Sequence, residues 1–356
     1  AGAYYIFIHN TGHRRITEGN VDPTMVRERN VALPDVRLKM LSACSGTPME
    51  LDPDSGTVFR ADGVKRAFGW EIRTGLEARG SRIFVCPKER KPVLYGSRPK
   101  FRDVKSVKLE GRVPWEISLS EANVLVLDRP RYRINGGKWE AQEDVVRIDI
   151  GLRKAMGIPV RGGGMPQPWA VPVSRHPRTA DVEMSYSFDV LQIPSGGFYL
   201  GVECPETMKI LLNGIPVEAD LDAGWWCDQS MRRLRIDSSY LRRGANRLFV
   251  RCAFSETHAG LENIYLIGNF GTRVSGTRVS MTAPPSSLKI GDWVKQGLSF
   301  YSGSVTYRRE IHPALRRGER LFVRVPEYRG TGVRVLADGR PIGVIGWEPN
   351  EIDITD

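Results

Sequence analysis

Apolar and polar positions alternate one by one over much of this chain. Phe198, Leu200, Val202 and Cys204 alternate with Tyr199, Gly201 and Glu203, and Leu321, Val323 and Val325 with Phe322 and Arg324. A period of two is the signature of a strand with one buried face. The two stretches are copies of one pattern. Leu200-Gly201-Val202-Glu203-Cys204-Pro205-Glu206 returns as Leu321-Phe322-Val323-Arg324-Val325-Pro326-Glu327, and Tyr186 returns as Tyr307, at a shared offset of 307 − 186 = 121. Asn213-Gly214-Ile215-Pro216 returns as Asp338-Gly339-Arg340-Pro341 after four extra residues. In each copy a proline stops the strand, a short apolar run follows, and Asn-Gly or Asp-Gly supplies the positive φ of a tight hairpin.

The same alternation marks Val36 to Met40, Trp70 to Ile72, Ile83 to Val85 and Trp115 to Leu119, while Val124 to Leu127 is continuously apolar, as a central buried strand would be. Helical periodicity is clear once, in Val145, Ile148, Leu152 and Met156, with Gly157 as its stop. The chain is therefore expected to be mostly β, built of antiparallel β-sandwiches of jelly-roll type, with one amphipathic helix at about 140–157. The expected organisation is a β-domain over 1–97, a Lys-, Arg- and Pro-rich linker over 98–114, sandwich strands plus the helix over 115–165, a first sandwich over 166–270 and a second over 271–356. Gly271 to Ser275 repeats letter for letter as Gly276 to Ser280. Because a five-residue shift puts equivalent side chains on opposite faces, this stretch is expected to cross between sheets. The second copy stops before a counterpart of the strand Leu248 to Cys252, which predicts a fragment of a longer polypeptide.

Composition sharpens this picture at a few points. The 356 residues are 41% apolar and 26% charged, and no run approaches the roughly 20 apolar residues that cross a bilayer. Neither a membrane anchor nor a secretory leader is visible. The formal charge of +11 raises the question of polyanions, but the arginines come as scattered pairs such as Arg14-Arg15, Arg232-Arg233 and Arg316-Arg317, which argues against nucleic acid. Five widely spaced cysteines, with no C-x-x-C pair, predict neither a disulfide framework nor a zinc site. Asp52-Pro53-Asp54 reads as a turn; no cofactor is expected, with a structural calcium left open. His9 and His13 lack the helical face of a metal pair, and Gly162-Gly163-Gly164 lacks what a phosphate loop needs and reads as a connector. No nucleophile elbow, zinc-protease motif or dinucleotide fingerprint occurs, so no residue is assigned as catalytic.

Aromatic residues carry the functional signal. Trp225, Trp226, Trp293, Tyr301 and Trp347 stand at strand ends or loops beside Asp, Asn or Gly. Flat rings next to carboxylates and amides suit sugars, whose C–H faces stack while their hydroxyls need oriented partners. Trp225, Trp226, Asp228, Trp293 and Tyr301 are the candidate carbohydrate-binding residues, with Glu262 and Asn263 expected to tie loops together.

The succession Trp115-Glu116-Ile117, Asn123 to Asp128, Gly224-Trp225-Trp226, Leu261 to Gly271, Gly291-Asp292-Trp293 and Tyr301-Ser302-Gly303 resembles the C-terminal β-rich region of large bacterial alpha-L-rhamnosidase-like glycoside hydrolases. The turn Glu50 to Gly56 and the strand after Gly80-Ser81 resemble the β-domain that follows their catalytic barrel. The resemblance covers nearly the whole chain. It implies galactose-binding-like sandwiches, a secreted or periplasmic location, and a non-catalytic, carbohydrate-binding accessory role beside the catalytic domain of the same polypeptide. The alternative is a free-standing lectin-like module that holds acidic glycan through its arginines.

Overall fold

The computed structural model describes residues 2–12, 14–15, 27–28, 31–40, 45–53, 55–89, 95–109, 114–160, 170 and 175–355. The chain divides into two compact units, Ala1–Ser106 with Ile311–Asp356, and Val107–Glu310. It is mostly β with a single α-helix among the described residues, as the alternation predicts. Cys44, His13, Asp54 and the glycines 162–164 fall outside the described residues.

In the unit Val107–Glu310 two sheets face each other. One has five strands in the order Asn123–Leu127, Ile264–Gly268, Phe198–Glu203, Met231–Ile236, Asp222–Trp225. The other runs Ile215–Val217, Met208–Leu212, Gly244–Ser255, Thr179–Val190, Arg278–Thr282, Gly271–Ser275, with Arg131–Ile134 also paired to Thr179–Val190. Pairing is antiparallel apart from a short parallel contact of Asp189 and Val190 with Ser280 and Met281. Residues of alternate parity, among them Phe198, Leu200 and Val202 on one sheet and Val182, Met184 and Tyr186 on the other, form one core with Leu234, Ile236, Leu248 and Val250. Each such side chain contributes on the order of 1.5–3 kcal/mol by leaving water. Burial pushes the Cys252 thiol up to about 12, so this cysteine behaves as a small apolar residue.

The helix spans Val145–Met156, starting later than the expected 140. Its start is fixed by Asp144, whose carboxylate accepts from the backbone N–H of Val146 and Arg147. Gly157 ends it in the left-handed conformation, φ 64°. Val145, Ile148 and Leu152 join the sandwich core. Asp149 and Arg153, one turn apart, are buried as well and bonded to each other, Nε to Oδ2 at 2.8 Å.

Three local expectations are corrected. Asn123–Leu127 lies at the edge of its sheet rather than in the middle, and its apolar run is buried because the Gly271–Thr282 segment packs near it. The duplicated pentapeptide is a hairpin, Gly271–Ser275 paired with Arg278–Thr282 around Gly276 at φ 60°, and does not cross between sheets. Cys86 is disulfide-bonded, whereas Cys204, Cys227 and Cys252 are free.

In the other unit a four-stranded sheet, Ala3–His9, Ser81–Pro87, Met49–Leu51, Val58–Arg60, and a three-stranded one, Leu33–Met40, Gly69–Leu76, Gly63–Arg66, enclose Met40, Ile72, Phe84 and Cys86. Asp52 accepts from the Ser55 hydroxyl in the turn expected there. Two pairings of the repeated pattern recur, although Tyr307 pairs with Ile117 where Tyr186 pairs with Leu248. Phe198–Glu203 pairs with Met231–Ile236, and its counterpart Phe322–Arg324 with Glu351–Asp353. Both hairpins turn through positive φ, at Asn213-Gly214 and at Asp338-Gly339. In the second copy these pairings stand as two-stranded ladders.

Removing one partner of a buried ion pair leaves the other charge uncompensated, which typically costs about 3–5 kcal/mol. Asp149→Ala is therefore expected to lower unfolding free energy in urea by that order, against about 1 kcal/mol for removal of the helix cap in Asp144→Ala.

Candidate functional site

Tyr199, Gly201 and Glu203 alternate with the core residues Phe198, Leu200 and Val202, and Tyr265 with Ile264 and Leu266, so all four lie on the outer face of the five-stranded sheet. Gly201 and Tyr265 are cross-strand partners. The Trp226 ring lies over this spot, edge-on to Tyr265 at 5.2 Å and 60°. A Cβ on Gly201 would stand 3.1 Å from Ile267 Cδ1, 3.3 Å from Tyr265 Cβ and 3.6 Å from Trp226 Cε3. The absence of a side chain there lets the two aromatics settle onto the sheet.

The loop after Trp226 is held by Asp228. Its Oδ1 accepts from Ser230 N at 2.8 Å, Ser230 Oγ at 2.6 Å and Met231 N at 3.2 Å, while Trp226 N donates to Met231 O at 2.9 Å. The Ser230 hydroxyl first, then the two backbone N–H groups, hold the Asp228 carboxyl below its usual range. Ser230 Oγ also lies 3.2 Å from Glu203 Oε1, which links loop and strand.

The far side of the face is built by residues 258–263. Arg153 donates to His258 O at 3.0 Å and to Pro159 O at 3.4 Å, Leu261 N donates to Asp149 Oδ1 at 2.9 Å, and the rings of Phe254 and His258 stack beneath the guanidinium. The buried pair of the helix thus fixes the backbone just before Glu262 and Asn263. The Asn263 side chain shares a hydrogen bond with the Tyr265 phenol. Burial raises the pKa of that phenol, against the Asn263 bond, and Glu262, Cys227 and Glu203 raise it further.

The candidate residues are therefore distributed unequally. Trp226, Asp228, Glu262 and Asn263 converge around Tyr265. Trp225, adjacent in sequence, is opposite Arg232, itself the partner of the core residue Val202, so it belongs to the other side of the sheet and is 54% exposed at the edge strand. Trp293 and Tyr301 lie elsewhere, with ring centroids 6.3 Å apart. The Trp293 indole N–H donates to Tyr307 Oη. Tyr301 Oη accepts from Ser120 N at 3.1 Å and donates to Ser304 O at 2.9 Å, clamping the turn between Trp115–Leu119 and Asn123–Leu127. Trp347 is exposed in the other unit. Glu203, Tyr199 and Tyr265 are additions that strand alternation could have supplied, since Tyr199 and Tyr265 are outward members between two buried neighbours and Glu203 follows the buried Val202.

The crevice behind Glu203, Glu262 and Asn263 has a free volume of ≈ 10 Å³, room for about one water. A ligand larger than that has to bind on the open face. Among the described residues no group of three or more His, Cys, Asp or Glu could hold a metal ion, and no helix is long and apolar enough to cross a membrane.

No family model matches the chain and no curated protein matches it. Among solved structures it is similar to a rhamnosidase from Novosphingobium sp. PP1Y, at 14% identity and a TM-score of 0.18, over 71% of this chain and 21% of that one. The chain thus spans 21% of the length of that protein. The fold and the face above rest on this chain's own sheets and hydrogen bonds.

Because its folded pKa is depressed, Asp228 stabilises the loop above its unfolded value, about 3.9, and loses that contribution as pH falls through the folded value. Protection of the Trp226 amide from hydrogen exchange is expected to drop at pH 3 relative to pH 6. In Asp228→Asn, whose amide oxygen still accepts but does not titrate, the drop relative to neighbouring amides should be absent.

Proposed function

We propose that this chain is a non-catalytic, carbohydrate-binding part of a bacterial glycoside hydrolase, with Trp226 and Tyr265 as the surface on which a sugar ring stacks. The observation that carries this reading is the convergence of these two rings, seated over Gly201, with Glu203, Asn263, Glu262 and the Asp228–Ser230 loop. A sugar presents apolar C–H faces and a rim of hydroxyls, and this face offers flat rings rimmed by carboxylates and an amide. Trp225 would extend contact around the sheet edge for a longer chain.

In this reading the catalytic domain belongs to the same longer polypeptide, and the glycan is its plant or microbial polysaccharide substrate. The resemblance to alpha-L-rhamnosidase-like enzymes supports that assignment. The disulfide at Cys86 favours an oxidising compartment, in keeping with a secreted or periplasmic protein.

In isothermal titration of the chain against rhamnose-, galactose-, xylose- and glucose-based oligosaccharides, Trp226→Ala should weaken binding at least tenfold, the scale of one lost stacking contact of about 1.4 kcal/mol. Trp225→Ala should weaken it less, and only for longer oligosaccharides. Binding unchanged in Trp226→Ala, or hydrolysis of a glycan by this chain alone, would contradict the reading.

A further inference from the structure

One arginine on the outer face of the five-stranded sheet has bonding capacity to spare. Arg233 is the cross-strand partner of Gly201, itself the partner of Tyr265, so the three stand in one row on strands about 4.8 Å apart. Trp226 sits over the middle of that row. The Arg233 guanidinium lies over the Tyr199 ring at 5.3 Å and donates to Ala223 O at 3.3 Å. Among the described residues it forms no ion pair, and its Nε, shielded from water, donates to nothing. A donor left in that state costs stability until an acceptor arrives. Three acids nearby are engaged within the protein. Asp222, close enough to feel the charge of Arg233, accepts from Nε and an Nη of Arg232. Asp228 is held by Ser230 and Met231, and Glu203, one pair further along the strand, accepts from Ser230. Arg235, opposite Tyr199, adds a second, exposed positive charge to the same face.

We infer that the Trp226–Tyr265 surface takes uronic acid units, the sugar ring stacking on the aromatics and its carboxylate pairing with Arg233. The inference rests on the carbohydrate-binding reading of the same face and adds the class of sugar. In a D-uronate pyranose the carboxylate is equatorial, so a ring lying flat over Gly201 can present it sideways to the next strand, where Arg233 stands. The planar guanidinium fork matches a carboxylate through two parallel bonds, which a lysine cannot do. Stacking on Tyr199 and the bond to Ala223 hold the fork in place beforehand, so little side-chain freedom is lost on binding. The formal charge of +11 attracts polyanions diffusely as well, in a manner that fades with salt. The contact at Arg233 is short-ranged and tied to the aromatic pair.

The test titrates the full chain with trigalacturonate, with its methyl ester, which keeps the rings and removes the charge, and with the neutral oligosaccharides above, following Trp226 and Tyr265 by NMR at physiological salt. Trigalacturonate should shift both residues and bind about fivefold tighter than the ester, the scale of a charge-assisted bond partly screened by solvent. Arg233→Gln should erase that advantage while ester binding stays within about twofold, which also reports that the face is still folded. Arg233→Lys should keep only part of the advantage. Arg316→Gln removes an equal charge from an exposed site in the other unit and should leave the ratio unchanged. If neutral oligosaccharides shift Trp226 and Tyr265 while trigalacturonate binds no tighter than its ester, the inference is overturned and the carbohydrate reading stands. An equal fall of the ratio in Arg233→Gln and Arg316→Gln, or loss of acid and ester binding alike in both Arg233 variants, would overturn it too. If no saccharide shifts either residue, the carbohydrate reading itself fails and the inference with it.

Discussion

The buried pair of Asp149 and Arg153 is the interaction on which the candidate site of the sandwich depends. A charge pair taken out of water is tolerated only when its remaining hydrogen-bonding capacity is met. Here Arg153 reaches two backbone carbonyls, Pro159 and His258, and lies against Phe254, while Asp149 receives the N–H of Leu261. The pair therefore does more than close the helix onto the core. It sets the backbone position of 258–261, and the chain leaves that anchor directly through Glu262 and Asn263 into the strand carrying Tyr265. On the other side of the same ring the turn closed by Asp228 brings in Trp226. Two separately anchored loops meet over one glycine.

Much of this architecture is legible in the alternation of residues. The strands around Leu200 and Leu234, the hairpin at Asn213-Gly214 and the helix with its glycine stop all follow from local rules that tertiary packing reinforces. Of the repeated pattern, the hairpin and one strand pairing recur, whereas Tyr186 and Tyr307 lie on strands with unlike partners. The misreadings share a cause. Val124 to Leu127 is buried on both sides at a sheet edge because another segment covers it, and a run of apolar residues records burial without recording what does the burying. The pentapeptide repeat forms a hairpin through Gly276, a turn that two identical halves disguise.

The site was legible in its parts but not in its grouping. Trp225 and Trp226 look like a pair in sequence, yet an extended backbone sends neighbours to opposite sides, and the structure divides them between the two sides of one sheet. Glu262 and Asn263 read as loop residues with a structural task, and the anchoring of their loop by Asp149 and Arg153 delivers them to the face that holds Trp226. Trp293 and Tyr301 show the converse. Their polar atoms are spent on Tyr307, Ser120 and Ser304, contacts between segments far apart in sequence that no local pattern reveals.

The most direct test of the account is a crystal structure of the chain grown with a neutral oligosaccharide. The account predicts a sugar ring stacked against Trp226 and Tyr265, with its hydroxyls on Glu203, Glu262 or Asn263. A sugar bound instead at Trp293 and Tyr301, or ordered at any other surface while the Trp226 face stays bare, would contradict it.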